Sequence, residues 1–481
     1  MLHGMKLVGH ITPKNSGEIR NSRFGIGLEK IDRYLYDPAP VYDPLAETGV
    51  KYVRIQSGWM RTEKEKGVYD WKWIDDIVDN LVSRGMEPWI CLCYGNPVWS
   101  EKAVNVRGAI GVPPIFSEEE AAAWDRYVSE CVRRYRGKVR MYEIWNEPDG
   151  QHCWRHGVSA SEYGKFAKRT SAAIRAADPE AKVLAGSFFS SGSTTYLHDF
   201  LKELTPGDID FITFHQYRYR VEHGIEEFAR GIRKMLDAFD PSVGMIQGET
   251  GTQSSFSRNG ALCGSEWTER KQAKFLTRKL LIDLKTEVEF TSWFTAVDIF
   301  ENIINENGTV NKDYYGFFGV LGEKFAPDGT PLGEYEPKLS YTALRTICAA
   351  LSGAEKTELA VFFENSWTPL FGRSDEDPYD PASRIIWQGF EKNGAKALVY
   401  WKAADVMTEE FLSTVSLRCF DLPGEIRLTD LMTGEVWALD GMITGDDGEI
   451  ILSHIPVTDY PLMLTFGNFA EVTTDAAAPL S

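Results

Sequence analysis

Glu147 closes the run Met141-Tyr-Glu-Ile-Trp-Asn-Glu-Pro148, and Glu249 closes Gly244-Met-Ile-Gln-Gly-Glu-Thr-Gly251. A carboxylate carried to the end of an apolar run is costly to desolvate, so it is kept there for a salt bridge or for chemistry. Pro148 disfavours helical geometry at the preceding residue, which predicts an extended Glu147 presented at the mouth of a strand. Gly248 and Gly251 free the backbone around Glu249. Two carboxyl groups facing each other across a pocket can divide the cleavage of a glycosidic bond. One gives a proton, and the other attacks or activates water.

The elements that must position this pair follow a regular rhythm. Strands are predicted at Phe24–Glu29, Tyr52–Ser57, Glu87–Tyr94, Met141–Glu147, Lys182–Gly186, Phe211–His215, Gly244–Gly248 and Phe290–Ala296. Between them lie helical stripes, the clearest being Ile225, Phe228, Ala229, Ile232, Met235, Leu236 and Phe239. Ser117 followed by three glutamates starts a helix in capping-box fashion, and a closing helix is expected over 338–351. Eight such alternations predict an α/β fold, a (β/α)8 TIM barrel with its site at the C-terminal strand ends. The doubly wound open sheet is the rival, but no Gly-x-Gly-x-x-Gly loop follows a strand. Glu147 and Glu249 then stand on the fourth and seventh strands, three βα units apart, and can converge over one mouth.

Beyond Leu351 short β-runs alternate with turn signals, among them Asn393-Gly394, Thr433-Gly434 and Asp447-Gly448. The expected division is a catalytic barrel with an N-terminal extension over 1–352, a β-sandwich over 353–470 and a tail over 471–481. Residues 372–381 read as a loop.

A net charge of −18 argues against nucleic acid or an anionic membrane as partner. Fourteen Trp and 20 Tyr supply flat amphipathic rings that suit a small carbohydrate. No apolar run is long enough to span a bilayer. Seven scattered cysteines do not form a disulfide framework, which predicts a reducing, cytoplasmic location. Assembly as a homo-oligomer is left open.

Trp145-Asn-Glu-Pro148, Glu249, His215-Gln-Tyr217 and Trp293 on the fourth, seventh, sixth and eighth strands together resemble the clan A retaining glycoside hydrolases. The nearest likeness is to family 39, the β-xylosidases and α-L-iduronidases, and it covers about residues 20 to 350. The resemblance implies a retaining exo-glycosidase that removes a terminal sugar, with Glu147 as acid/base, Glu249 as nucleophile and Asn146 on the sugar 2-hydroxyl. Such a division requires an acid that stays protonated and a nucleophile that stays ionised. Arg54 and Tyr217 are the expected partners of Glu249. A carboxyl separation of about 5 to 5.5 Å would mark retention, and about 6.5 to 9.5 Å inversion. A silent carbohydrate-binding barrel and a transglycosidase are the alternatives.

Glu143 reads as a structural ion pair with Arg54 or another barrel cation, on the strand face shared with Trp145 and Glu147. His215 is either a satisfied core histidine or part of the site. Trp293 is expected to floor the sugar site and Trp154 to offer a stacking platform, with Glu29, Asn96 and Trp99 as further sugar contacts. His152, Cys153 and His156 lie close in sequence, but no fourth ligand accompanies them and no metal or other cofactor is expected. The long segment 300–337, with Tyr314, Tyr315, Phe317 and Phe318, is predicted to wall the pocket and favour exo action on short glycosides.

Overall fold

The computed structural model of the protein describes residues 5–103, 111–189, 194–301, 305, 307–364, 385–422, 424–439, 443–445 and 448–474. Eight parallel strands, Phe24–Gly27, Tyr52–Gln56, Glu87–Leu92, Met141–Ile144, Lys182–Phe188, Phe211–His215, Gly244–Thr250 and Val288–Trp293, close a barrel in sequence order. Near-continuous apolar composition suits strands that are covered on both faces. The helices carry their apolar stripes inward, and Ser117, Ser159 and Thr268 cap three of them by accepting from the backbone three residues on.

The barrel interior is layered. At the N-terminal end Trp89, Met141, Leu184, Ile246 and Phe290 form a separate apolar plug. Above it the layer turns polar, with the Arg54 guanidinium resting over the Trp89 ring, 5.4 Å from its centroid. The plug seals the bottom, so the mouth at the C-terminal strand ends is the open face.

Among the described residues the chain after the barrel, joined by one strand from before it, forms two packed antiparallel sheets, one of eight strands and one of four. Asn393 and Gly394, at φ 52° and 80°, turn the hairpin that joins Ile385–Lys392 to Ala395–Lys402. Two boundaries differ from expectation. Lys6–Ile11 is not part of a barrel extension: it pairs with Glu435–Ala438 and completes the larger sheet of the sandwich. Val472–Thr473, placed in the tail by the sequence, pairs with the same strand. An edge strand offers unpaired backbone groups wherever it is supplied, regardless of position along the chain. The predicted loop 372–381 and Asp447 of the last turn lie outside the described residues.

The sandwich braces the barrel close to the mouth. Helix Glu269–Asp283 is buried on every side because the sandwich covers its outer face. Its Lys274 pairs with Asp459 at 2.5 Å, and Arg278 pairs with Glu222 at 2.7 Å, while Trp401 Nε1 donates to the same Glu222 at 2.8 Å. Glu222 sits in the segment that follows the sixth strand and carries Tyr217.

Candidate active site

The fourth strand ends at Ile144, and the chain then leaves strand geometry. Trp145 and Glu147 adopt φ values of 68° and 47°, so Glu147 is left-handed rather than extended. Pro148 disfavours the right-handed helical region for its neighbour, and the chain takes the left-handed one instead of the extended one. Contacts with neighbouring strands hold the kink: Trp145 N donates to Leu92 O (3.0 Å) and Glu147 N to Ser187 O (3.1 Å). Ser187 is itself at φ 51°. Such positions cost about 1–3 kcal/mol each and persist where surrounding contacts enforce them.

The kink also separates side chains that strand alternation would place together. Trp145 turns outward into a cluster with Trp124, Trp154 and Phe166, whereas Glu143 points into the barrel. There Glu143 accepts from Arg54 Nε at 2.8 Å and from Thr213 Oγ1 at 2.6 Å. Arg54 is wholly buried and is the hub of the site. Its Nη1 donates to Glu29 and to Glu249, both at 3.0 Å, and its Nη2 to Asn146 Oδ1 at 2.9 Å and Ser187 Oγ at 3.2 Å. Three carboxylates share one guanidinium, and they raise it further above the ordinary arginine range despite its burial.

Glu249 is reached from a second side by the Tyr217 hydroxyl, which donates at 2.5 Å. Gly251, just past the strand, passes so close to the Phe294 carbonyl that a Cβ there would collide with it. His215 lies between the two glutamates, its Nδ1 2.9 Å from Glu147 and 3.6 Å from Glu249, with Ser187 Oγ 2.9 Å from Nε2. Burial lowers the His215 imidazole, but the charge of Glu249 and the bond to Glu147 prevail and raise it. An oxygen of Glu147, a ring nitrogen of His215 and an oxygen of Glu249 all lie within 4.8 Å of one another. The Glu249 oxygens accept from Arg54 and Tyr217, and the Glu147 oxygens are bonded by the imidazoles of His152 and His215.

Glu147 differs from the protonated acid that the sequence leads one to expect. Burial would raise it, yet hydrogen bonds from His152 and His215 outweigh burial and hold it at about 2. Glu29 goes the other way. Burial and the charge of Glu249 prevail over Arg54 and push it up to about 7.

These groups open into a cavity of about 800 Å³. Glu29, Asn146, Tyr217 and the two central glutamates line it; His215 and Arg54 stand behind them, fully buried. Four expected contacts lie elsewhere. Trp293 is buried, donating from Nε1 to Phe318 O at 3.1 Å, and its neighbour Phe294 faces the cavity instead. Trp154 is sealed in the aromatic cluster outside the strands. Asn96 is buried and ties its loop to Glu63 O at 2.8 Å, while Trp99 lies under the cations of Lys66 and Arg126. The His152, Cys153 and His156 group does not assemble, because His156 turns to Glu162 and Phe116. In the segment 300–337 Phe318 reaches the cavity, but Tyr315 packs inward between Phe300 and Phe325.

Several cavity residues escaped the sequence reading. Gln56 was the most accessible: two positions after Arg54 on one strand, it faces the same side. Lys30, Arg33 and the loop residues 259–262 carry no periodic signal.

The profile of Glycosyl hydrolases family 39 matches residues 39–346. The chain belongs to glycosyl hydrolase family 39. A family 39 glycoside hydrolase from Bacteroides cellulosilyticus WH2 superposes with a TM-score of 0.65 at 16% identity, covering 95% of this chain and 83% of that one. A family 39 β-xylosidase from Caulobacter crescentus gives 0.58 at 17% identity, covering 96% and 98%. An α-L-arabinofuranosidase from Thermotoga maritima gives 0.58 at 14%, covering 96% and 99%. These likenesses show the shared fold, a barrel followed by a sandwich. A β-galactosidase, BgaH of Haloferax lucentense, is 35% identical over 54 residues, which span 11% of this chain and 8% of that protein.

Proposed function

We propose that this family 39 chain is a retaining, exo-acting glycoside hydrolase. It removes a terminal sugar, β-linked and of the xylose or glucose type, from short oligosaccharides or simple glycosides. Glu249 is the nucleophile and Glu147 the acid/base. One observation carries the reading: oxygens of Glu147 and Glu249 approach within 4.8 Å across His215. That closeness suits the spacing of about 5–5.5 Å used by retaining enzymes and is tight for the intervening water of an inverting one.

Glu249 attacks the anomeric carbon while Glu147 delivers a proton to the leaving oxygen. In the second step Glu147 takes a proton from water, which displaces Glu249 from the sugar. Arg54 and Tyr217 hold the two Glu249 oxygens, so the attacking atom is aimed before substrate arrives. Asn146 and Glu29 line the cavity beside it and are the nearest candidates for sugar hydroxyls. Phe294, Ile299, Phe318 and the loop 259–262 wall the cavity, which supports exo action on short substrates. Seven unpaired cysteines, six of them buried, are compatible with a reducing, cytoplasmic setting. Among the described residues no helix is long and apolar enough to cross a membrane.

The deciding experiment is a panel of aryl glycosides on wild type, Glu147→Ala and Glu249→Ala, with and without azide. Azide should rescue Glu147→Ala with retained configuration and Glu249→Ala with inverted configuration. Full activity in Glu249→Ala, or no turnover of any glycoside by wild type, would overturn the assignment. Internal cutting of polymeric xylan or glucan with short glycosides ignored would overturn exo action.

A further inference from the structure

The loop after the fourth strand folds an imidazole back onto the carboxylate it has just left. Glu147 O accepts from Gly150 N at 3.0 Å, and Gly150 O accepts from Cys153 N at 3.1 Å and Trp154 N at 2.8 Å. Trp145 Nε1 pins the far side of the loop by donating to Cys153 O at 2.8 Å. The result is a hydrogen bond between His152 Nε2 and Glu147 Oε2, the oxygen that His215 does not use.

Residue 150 has to be glycine for this to happen. A Cβ there would stand 2.7 Å from His152 Nδ1 and closer still to Cε1. Phe189 meets the imidazole edge-on, with centroids 5.3 Å apart, and holds it from the next strand end. The ring stays half exposed and lines the cavity.

We propose that His152 is the proton partner of Glu147, a positioning residue that keeps one proton beside the leaving-group oxygen. The proposal rests on Glu147 being the acid/base. The charged and titratable groups around the pair are Cys153, Asp149 and Arg155 on the same loop, His215 at the end of the sixth strand with Tyr217 just after it, and Glu249 on the seventh. The Cys153 sulfur and Glu147 push His152 up to about 10, while Glu147 is held at about 2. Between these limits the pair carries one proton, resting on the imidazole.

A glycoside filling the cavity displaces water from the pair, and loss of solvation favours the neutral arrangement. The proton moves from His152 Nε2 to Glu147 Oε2. Glu147 then gives it to the glycosidic oxygen as the bond to the leaving group breaks and the bond from Glu249 to the sugar forms. His152 is left neutral and Glu147 ionised. In the second step the proton taken from water returns to the pair as the sugar–Glu249 bond breaks.

The test compares full-length wild type, His152→Gln and Gly150→Ala. For each, kcat/KM is measured from about pH 5 to about pH 10 on a phenyl glycoside and on its 2,4-dinitrophenyl counterpart. The phenyl leaving group needs the proton, and the dinitrophenyl group departs without it. Both variants should lose phenyl-glycoside activity about 10- to 100-fold relative to the dinitrophenyl substrate, with the basic limb at least about two pH units lower. An unmoved basic limb and an unchanged ratio of the two rates in both variants would overturn the proposal. Glu147→Ala separates the failures. Azide-rescuable loss there with unaltered His152 variants sinks only the His152 role, whereas full activity in Glu147→Ala sinks the acid/base reading itself.

Discussion

Replacing Glu29 by Gln should make the chain more stable, and increasingly so as pH rises. Glu29 is almost fully buried, and its carboxyl is pushed from 4.5 to about 7 by burial and by Glu249, against the pull of Arg54. At about 1.4 kcal/mol per unit this is a cost of about 3 kcal/mol for folding with Glu29 ionised. The sign follows from the folded value lying above the unfolded one. The protonated group is tolerated below about pH 4.5, and stability is lost as pH climbs through about 7. Glutamine cannot titrate, yet its carbonyl can still accept from Arg54 Nη1, which stands 3.0 Å from Glu29 Oε1. The stability difference between Glu29→Gln and wild type should therefore grow by about 3 kcal/mol between about pH 4.5 and pH 7 and stay level on either side. For a chain of this length that is a Tm gap widening by roughly 3–6 °C, readable by calorimetry at half-unit pH steps. A gap that is flat across the window, or that narrows with rising pH, would refute the reasoning.

Arg54→Met leaves three buried carboxylates without their cation and should cost about 3–5 kcal/mol at neutral pH. Protonation of the orphaned groups should shrink that deficit as pH falls toward about 5, measured as Tm against pH. Tyr217→Phe removes the hydroxyl that donates to Glu249 at 2.5 Å. A bond to a charged group is worth about 1.5–3 kcal/mol, so kcat/KM should drop about 10- to 100-fold with Tm little changed. Phe294→Ala should raise KM for glycosides, because that ring faces the cavity. Trp293→Phe, which takes from the Phe318 carbonyl the shorter of its two bonds, Trp293 Nε1 at 3.1 Å beside Thr295 N at 3.3 Å, should instead lower Tm and leave KM near wild type.

The barrel was legible because its helices and strands carry their burial pattern locally: the stripe from Ile225 to Phe239 became one helix, and the eight apolar runs became eight strands in order. The stretch around Glu147 departs from the sequence reading because its shape is set from outside. Left-handed φ at Trp145 and Glu147 depends on acceptors supplied by Leu92 and Ser187, far away in the chain. Trp293 and Phe294 exchange roles for a related reason, since the strand stops at Trp293 and alternation gives no guidance beyond it. Asn96 and Trp154 look exposed by position but are consumed in packing their own loops, one under Glu63 and the other against Tyr163 and Phe166. Pairing of Lys6–Ile11 with Glu435–Ala438 joins residues more than 400 positions apart and leaves no local trace.

The two central glutamates are chemically identical, and what distinguishes them is the kind of neighbour each has. Glu249 is bonded by a guanidinium, whose proton affinity the surrounding carboxylates raise against the effect of burial, and by a phenol, which burial and those carboxylates both raise. These partners orient Glu249 without offering a proton that it could exchange near neutral pH. Glu147 is bonded by two imidazoles, the side chain suited to passing a proton in that range. Under the proposed mechanism it is this difference in partners, Arg54 and Tyr217 on one side and His152 and His215 on the other, that would make Glu249 the nucleophile and Glu147 the acid/base. The fold keeps the sets apart: Arg54 is fixed over the apolar plug at the barrel's base, and Tyr217 is carried by the segment that the sandwich clamps through Glu222. His152 depends on the loop after the fourth strand, which Trp145 Nε1 pins by donating to Cys153 O, so under the proposed mechanism a change in that loop would act on the Glu147 side of the site.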